Sequence, residues 1–355
     1  MSQPKYQAVQ YYIVKLISDG ILMPGDRAPS ENELAELFGI SRQTVRHALA
    51  VMVSQGVLNR KQGSGTYVAH STKRIGVCIK YLDTYIFPDI IRGIDDKLKE
   101  QAGSLVLMSS RNDTELERSS LESLLSYQLD GLIWEPARSG VRSERDETLA
   151  MIMRSGIPFV MINGSLPCYS SSSILTNDRE GMRQLIDHLY ERGHKRIAGL
   201  FCSDMAQGLR RYHGFRMGLA AYEIKAMEEE TLLFEESQLT DDPDGDFQEA
   251  LRIFLIDVVK RGVTAVCCYN DMAAQAVIRI AGDIGLAVPQ DLAVTGFDAA
   301  ERLDGAANSV SSLTSVIHPC AELGRAAVTE LFRSTRERNA QVIEMPAAVI
   351  YGAST

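Results

Sequence analysis

Polar side chains that directly follow short apolar runs in the second part of the chain are the residues best placed to bind a small polar molecule. The residues in such positions are Glu135, Asn163, Asn270, Asp298 and His318. Their carboxylate, amide and imidazole groups can hydrogen-bond to hydroxyls, and aromatic rings can stack on C–H faces. The aromatic candidates are Tyr85, Trp134 and Tyr269. This combination predicts a site for a small polyol.

The same residue types also begin helices. Asn, Asp and Ser are common at strand-to-helix junctions because their side chains accept hydrogen bonds from the first free backbone N–H groups. For Asn177, Asp178 and Asp271, helix capping and ligand binding both remain open. For Asp298, Asn270 and Asn163 we favour ligand binding.

Alternating apolar strands and amphipathic helices would position these side chains. A first set of strands is predicted at 75–79, 105–108, 131–134 and 159–162. A second set is predicted to begin after the serine run 170–173, with strands at 174–176, 197–201, 265–268 and 292–297. This pattern indicates an α/β architecture of two doubly wound parallel sheets covered by helices. Ligands of such sheets bind beyond the carboxyl ends of the strands.

The first seventy residues have a different pattern, which predicts a winged helix-turn-helix. Helices are expected at 6–18, after the capping box Ser30–Glu33, and at 42–55, followed by a hairpin with a basic, glycine-rich tip. The first turn of the last helix would enter the DNA major groove. The slim hairpin tip can lie in the minor groove.

Charge is distributed unevenly between these two parts. Residues 1–75 contain nine Lys and Arg against five Asp and Glu, a net charge of +4, whereas the whole chain carries −9. The remainder therefore carries −13. A basic head on an acidic body indicates that the head meets a polyanion.

The head resembles the winged-helix domain of GntR-family repressors. The residues that carry the resemblance lie in Pro24–Arg27, Pro29–Ala35, Ser41–Arg46 and Gly63–Val68. In that family, arginines at the positions of Arg42 and Arg46 reach guanine edges or phosphates, and Lys5 matches a phosphate-contacting lysine. The resemblance implies DNA binding by Lys5, Arg27, Ser30, Glu31, Arg42, Gln43, Thr44, Arg46, Gln62, Gly63, Ser64 and Gly65.

The body resembles the effector domain of LacI-type repressors and periplasmic sugar-binding proteins. Its markers include 75–77, 130–133, 193–198, 211–215, 269–274 and 296–298. In that family an arginine at the position of Arg211 holds sugar oxygens. Together with the strand-end candidates, the resemblance implies sugar binding by Lys80, Tyr85, Glu135, Asn163, Asp204, Gln207, Arg211, Tyr269, Asn270, Asp298 and His318.

The combination of a GntR-type head and a LacI-type body resembles that of the arabinose repressors of Gram-positive bacteria. The sequences of Asp83–Ile94 and Asp130–Pro136 also resemble those repressors. The resemblance implies a homodimer that binds operator DNA and releases it when L-arabinose or a related sugar closes the cleft. The cysteines, most of which lie in apolar runs, indicate reduced thiols in a cytoplasmic protein. We expect a head at 1–69, a linker at 70–74 and a body at 75–355, with pairing near helix 87–99. A regulator of another sugar, or one activated by a corepressor such as a purine, stays open.

Other classes of protein are disfavoured. There is no G-x-G-x-x-G after the first strand, no P-loop and no G-x-S-x-G motif, so we expect no enzyme activity and no cofactor. The six cysteines lack C-x-x-C spacing and the six histidines form no metal-ligand pattern. No apolar run approaches the ~20 residues that span a bilayer. The polar amino terminus does not resemble an export signal, which disfavours a periplasmic transport protein.

Overall fold

The computed structural model describes residues 5–54, 56–61, 64–69, 73–101, 103–141, 146–166, 171–240, 245–300, 313–337 and 339–355. The chain divides into two compact units. The first comprises Met1–Lys73 with Glu100–Ser104, and the second comprises Arg74–Lys99 with Leu105–Thr355. No described helix has the length and apolarity needed to cross a membrane.

The first unit contains three helices and a two-stranded wing. Its elements are α1 (Lys5–Ser18), α2 (Glu31–Phe38), α3 (Arg42–Ser54), β1 (Leu58–Lys61) and β2 (Gly65–Val68). β1 and β2 pair antiparallel. The predicted capping box is confirmed, because Glu33 N–H donates to Ser30 Oγ and Ser30 N–H donates to the Glu33 carboxylate. The apolar faces of the helices meet in a core that includes Val9, Ile13, Leu34, Val45, Leu49 and Met52.

The second unit contains two six-stranded sheets, each covered by helices. The first sheet has the order β13-β7-β6-β5-β3-β4, and the pairs from β13 to β3 are parallel. This sheet and its helices form the first subdomain. Before the chain passes to the second sheet, the first subdomain contains β3 (Arg74–Ile79), α4 (Phe87–Lys99), β4 (Ser104–Ser109), α5 (Thr114–Ser126), β5 (Gly131–Trp134), α6 (Glu147–Ser155), β6 (Phe159–Ile162) and β7 (Ser172–Thr176).

The second sheet has the order β14-β12-β11-β10-β8-β9, in which β12–β14 is antiparallel and the other pairs are parallel. The remaining elements are α7 (Asp178–Glu191), β8 (Ile197–Cys202), α8 (Ala206–Ala221), β9 (Thr231–Phe234), α9 (Glu236–Thr240), α10 (Asp246–Lys260), β10 (Ala265–Cys268), α11 (Asp271–Asp283), β11 (Ala293–Asp298), β12 (Thr314–Ile317), α12 (Cys320–Glu337), β13 (Val342–Met345) and β14 (Val349–Ile350). The two doubly wound sheets confirm the predicted fold class.

One assignment from the sequence is wrong. The strand beginning near Ile174 was expected to open the second sheet, but β7 pairs in parallel with β6 and belongs to the first. The chain crosses to the second sheet through α7, one element later than expected. The alternation of strand and helix is the same on both sides of a crossing, so it does not reveal which sheet a strand joins.

The chain returns to the first subdomain through α12, which the sequence analysis did not predict. α12 packs along α4 in direct backbone contact. A Cβ atom at Gly93 would collide with the carbonyl oxygen of Ala321, and one at Gly324 would collide with that of Ile90. Through this crossing, the carboxyl ends of strands from both sheets border one cleft.

Candidate ligand cleft and nucleic-acid interface

A cavity of about 450 Å³ lies between the two subdomains of the second unit. Nine of the eleven side chains predicted to bind sugar line it: Lys80, Tyr85, Glu135, Gln207, Arg211, Tyr269, Asn270, Asp298 and His318. Asn163 and Asp204 are not part of its lining. Most of the residues that were predicted to bind sugar therefore line the same cavity.

Arg211 of α8 organises one end of the cavity. Its Nε lies 2.9 Å from Asp178 Oδ1, its Nη2 lies 2.8 Å from Asp298 Oδ1, and its Nη1 donates to the carbonyl of Tyr269 at 2.8 Å. The guanidinium carbon lies 3.7 Å from the centre of the Phe297 ring. Burial opposes the charged form, but the carboxylates of Asp298 and Asp178 outweigh it and raise the pKa of Arg211.

Asp298 connects this end to the first subdomain. Its Oδ2 accepts a hydrogen bond of 2.8 Å from the Tyr85 hydroxyl. Burial favours its neutral form, yet the Arg211 charge prevails and lowers the pKa of Asp298. The residue has a φ of 94°, in the left-handed region that side chains rarely adopt. Strain of this kind concentrates at binding sites, where the surrounding contacts hold it in place.

Asn163 lies behind the cavity and orients two of its lining residues. Its Nδ2 donates to Glu135 Oε1 at 3.2 Å, and its Oδ1 lies 3.2 Å from His318 Nε2. This network assigns the ring proton of His318 to Nε2. Burial lowers the pKa of His318 even though Asp298 acts in the opposite direction, which keeps the ring neutral.

The other end of the cavity contains a buried lysine with two carboxylates. Lys80 Nζ lies 3.0 Å from Glu236 Oε1 and 3.7 Å from Glu135 Oε1. Burial opposes the charge, but Glu236 and Glu135 raise the pKa of Lys80 well above its usual value. Burial also raises the pKa of Glu135.

Sequence reasoning missed Glu236. It lies at the start of α9, a five-residue helix that follows the unpredicted strand β9. An acidic residue among other acidic residues gave no signal of burial, although Glu236 is 8% exposed.

Two acceptors in the cavity lining have no hydrogen-bond partner among the described residues. They are Gln207 Oε1 and Glu236 Oε2, both buried. An unpaired buried acceptor carries a desolvation cost of about 1–3 kcal/mol. A ligand whose hydroxyls donate to these two acceptors would remove that cost.

The helix-capping alternative applies to some strand-end residues. Asn177 Oδ1 accepts from Glu180 N–H and caps α7. Asn270 Oδ1 accepts from Ala273 N–H and caps α11, and the residue also lines the cavity. Asp178 instead binds Arg210 and Arg211.

Asp271 and Trp134 lie outside the cavity lining. Asp271 accepts from Ser315 Oγ at 2.6 Å and from Ala300 N–H at 2.9 Å, and burial raises its pKa to about 7. Trp134, considered from the sequence as a stacking residue, is fully buried in the core and donates to Glu117 at 2.9 Å.

The candidate nucleic-acid interface is the exposed start of α3 together with the wing. Ser41 caps the start of α3, since its Oγ accepts a hydrogen bond from Thr44 N–H. Arg42, Gln43 and Arg46, in the first turns of this helix, are exposed. Arg46 Nη2 lies 2.9 Å from Glu31 Oε2, and Arg60 Nη2 of the wing lies 3.1 Å from Glu31 Oε1. Hydrogen bonding from Arg46 lowers the pKa of Glu31.

The other head candidates border the same surface or lie outside the described structure. A groove of about 600 Å³ is lined by several of them, including Arg27, Ser30, Glu31 and Gly65. Ser64 is exposed on the wing. Lys5 begins α1, but its side chain lies outside the described residues, as do Gln62 and Gly63.

Comparisons with known proteins match both parts of the chain. Residues 5–68 match the family described as bacterial regulatory proteins, gntR family, and residues 186–355 match a periplasmic binding protein-like domain. The crystal structure of the transcription regulator CcpA of Lactococcus lactis is 22% identical, with a TM-score of 0.68 over 80% of this chain and 99% of that one. A periplasmic binding protein/LacI transcriptional regulator from Alkaliphilus metalliredigens, complexed with D-xylulofuranose, gives a TM-score of 0.64 at 22% identity over 80% and 99%.

Among curated proteins, the arabinose metabolism transcriptional repressor of Geobacillus stearothermophilus is 33% identical over 96% of this chain and 93% of its own. The repressor of the same name from Halalkalibacterium halodurans is also 33% identical, over 91% and 87%. A further relative, the HTH-type transcriptional repressor PurR of Glaesserella parasuis, is 26% identical over 88% of this chain and 92% of its own.

The fold and these matches define a transcriptional repressor with a GntR-type DNA-binding head and a LacI-type effector domain. The chain belongs to the family of the arabinose metabolism transcriptional repressors.

Proposed function

We propose that this repressor binds operator DNA through α3 and the wing, and releases it when a small neutral sugar occupies the cleft. Among small sugars, we propose L-arabinose as the effector. The sugar would bridge the two subdomains, and the change in the body would lower the operator affinity of the paired heads. Allosteric coupling of this kind is typically ~1–3 kcal/mol, which changes affinity by roughly 5- to 150-fold.

The observation that carries the proposal is a single cavity whose lining offers hydrogen-bond donors and acceptors to hydroxyl groups. Arg211 and Asp298 offer a donor and an acceptor side by side, 2.8 Å apart. Gln207 Oε1 and Glu236 Oε2 in the same lining have no hydrogen-bond partner among the described residues. A polyol is the ligand class whose hydroxyls can bond to both sets of groups.

The charges of the lining favour an uncharged ligand. Among the described lining residues, the cations are Lys80 and Arg211, and each lies beside two carboxylates. A phosphate or carboxylate on the ligand would therefore meet paired cations and the excess acidic charge around them. We infer that sugar phosphates and sugar acids bind more weakly than the parent sugar.

Several finer features belong to the same proposal. We propose that residues 1–69 form the DNA-binding domain, 70–74 the linker and 75–355 the sugar-binding and pairing domain. The protein acts as a homodimer in the cytoplasm, where a two-fold operator is read by two heads. We also propose that the head candidates named from the sequence contact DNA and that the nine cleft candidates in the cavity lining contact sugar. Asn163 and Asp204 would act through the lining residues to which they are hydrogen-bonded.

A purine corepressor is the second candidate. It is supported by relatives named PurR at 26–28% identity. The tyrosine and phenylalanine rings in the lining, Tyr85, Phe87 and Tyr269, offer flat surfaces to a base. The two candidates predict opposite effects, since a corepressor strengthens operator binding and an inducer weakens it.

A ligand panel tests the proposal. Thermal unfolding would be followed with L-arabinose, D-xylose, D-ribose, D-galactose, L-arabinose 5-phosphate, hypoxanthine and guanine. A ligand present at about 100 times its dissociation constant adds ~2.7 kcal/mol of stability. We expect stabilisation by a neutral sugar and release of operator by the same sugar in a gel shift. Stabilisation by a purine with tighter operator binding would establish the second candidate instead.

A further inference from the structure

Outside the cavity, a second polar contact joins the two subdomains at the rim of the cleft. Residues 138–140, which follow β5, meet residues 203–206, which precede α8. Gly140 N–H donates to the carbonyl of Asp204 at 2.9 Å, and Ala206 N–H donates to Ser139 Oγ at 3.1 Å. A Cβ atom at Gly140 would lie 2.8 Å from the backbone of Met205. The two loops are therefore in close backbone contact.

Arg138 places one positive charge between two carboxylates of the opposite subdomain. Its Nη2 lies 3.1 Å from Glu235 Oε2, and its Nη1 lies 3.7 Å from Asp204 Oδ2. The first subdomain fixes the backbone of this loop, since Arg138 N–H donates to Asn112 Oδ1 at 2.8 Å. None of Arg138, Asp204 and Glu235 is in the cavity lining.

This contact is connected to the cavity through α9. Asp204 Oδ1 accepts a 3.0 Å hydrogen bond from the backbone N–H of Glu236, whose side chain holds Lys80 inside the cavity. Asp204 is nearly fully buried, and its Oδ2 makes no hydrogen bond within the described part of the chain. The Arg138 guanidinium lies beside that oxygen, at 3.7 Å.

We propose that Arg138, Asp204 and Glu235 form a clasp that holds the cleft closed and thereby sets effector affinity without touching the effector. The inference rests on the proposed sugar-binding function and assigns Arg138 as a positioning residue. Removing its charge leaves Asp204 buried, with Glu235 beside it, and without the cation from the first subdomain. Opening of the cleft would return these carboxylates to water, so the variant favours the open state. An exposed ion pair alone contributes little, but here one carboxylate is buried and both subdomains supply partners.

The test compares Arg138→Gln with a matched control. Arg118→Gln removes the same charge from the same subdomain, and Arg118 also pairs with two carboxylates, Glu115 and Glu122, but within α5. Arg138→Lys keeps the positive charge. It therefore distinguishes an effect of the lost charge from misfolding caused by any substitution at this position. Hydrogen exchange in residues 138–141 and 203–206, measured on the full chain without sugar, reports clasp opening directly.

We expect hydrogen exchange in both loops to be roughly three- to tenfold faster in Arg138→Gln than in the wild type. This range corresponds to the loss of one ion pair with an exposed carboxylate and one with a buried carboxylate. Arg118→Gln should match the wild type, and Arg138→Lys should retain most of the protection. Unchanged exchange in Arg138→Gln would overturn the clasp, whatever the effector is.

Calorimetry with L-arabinose tests the effect on affinity. The dissociation constant should rise about three- to tenfold in Arg138→Gln and stay unchanged in Arg118→Gln. Raising NaCl from about 50 to 500 mM should weaken binding of this neutral sugar to the wild type and not to Arg138→Gln, because salt screens the clasp and not the ligand. Equal affinities would refute the proposal. If the wild type binds no L-arabinose while the exchange result holds, the proposed effector fails and the clasp stands.

Discussion

Lys80 and Glu236 form a buried ion pair between the two subdomains, with Nζ 3.0 Å from Oε1. The lysine follows β3 of the first sheet, and the glutamate begins α9 beside the second. Both side chains line the cavity. The pair therefore contributes to the binding surface and to the contact between the subdomains.

Replacing Lys80 with methionine should destabilise the protein by about 3–5 kcal/mol, because Glu236 and Glu135 would remain buried without their cation. Urea unfolding measures this change. Lys99→Met is the control, since Lys99 pairs with Asp95 on the exposed side of α4 and its loss should change little. Equal midpoints for the two variants would show that the buried pair does not contribute as argued.

Arg211→Ala should weaken sugar binding by roughly ten- to more than a hundredfold, because a hydrogen bond to a charged group contributes about 1.5–3 kcal/mol. Asp298→Asn should also lose affinity, since an amide replaces one acceptor by a donor. The measurement is calorimetric titration with L-arabinose, together with an operator gel shift in which sugar no longer releases the DNA.

Asn177→Ala is the matched control for the cleft variants, because Asn177 caps α7 and lies outside the cavity lining. It should cost about 1 kcal/mol of stability and leave sugar affinity intact. Sugar binding like that of the wild type in Asp298→Asn would remove Asp298 from the binding site.

Arg46→Ala and Gln62→Ala should each weaken specific operator binding by roughly ten- to a hundredfold and leave sugar binding unchanged, since a base contact would be lost. Lys5→Ala should instead weaken binding to all sequences and reduce the salt dependence by about one ion. Gel shifts with operator and scrambled DNA separate these effects. Unchanged discrimination in Arg46→Ala would exclude α3 as the reading helix.

Asp271→Asn should change how stability depends on pH. Burial raises the pKa of Asp271 from 3.8 to about 7 in the folded protein. The folded state therefore holds a proton that the unfolded state releases between about pH 4 and 7, so this group's contribution to stability falls as pH rises through that range.

Asparagine mimics the protonated carboxyl, with its oxygen accepting from Ala300 N–H and its amide donating to Ser315 Oγ. We expect the variant to gain about 1–3 kcal/mol over the wild type at pH 8, and the gain to disappear near pH 4. Unfolding by urea at both pH values checks the difference. A gain independent of pH would assign the effect to packing.

Short-range features of the sequence predicted a large part of this protein. The Ser30–Glu33 capping box, the Ser41 cap and the strand-helix alternation each depend on residues a few positions apart. Their physical causes are local: backbone capping, hydrophobic periodicity and burial of one helix face. The strand-end rule brought Glu135, Asn270, Asp298 and His318 toward one cleft for a similar reason, since parallel strands end at a common edge.

The tertiary structure decided the features that join distant segments. Lys80 and Glu236 are 156 positions apart, and Arg138 and Glu235 are 97 apart. The sequence determined that strands, helices and a polar cleft would form, because those depend on neighbours along the chain. Only the folded structure decided that β7 joins the first sheet, that α12 returns to α4, and which carboxylates neutralise Lys80, Arg138 and Arg211. Pairing between charges depends on distance in space and on burial, which local sequence patterns do not contain.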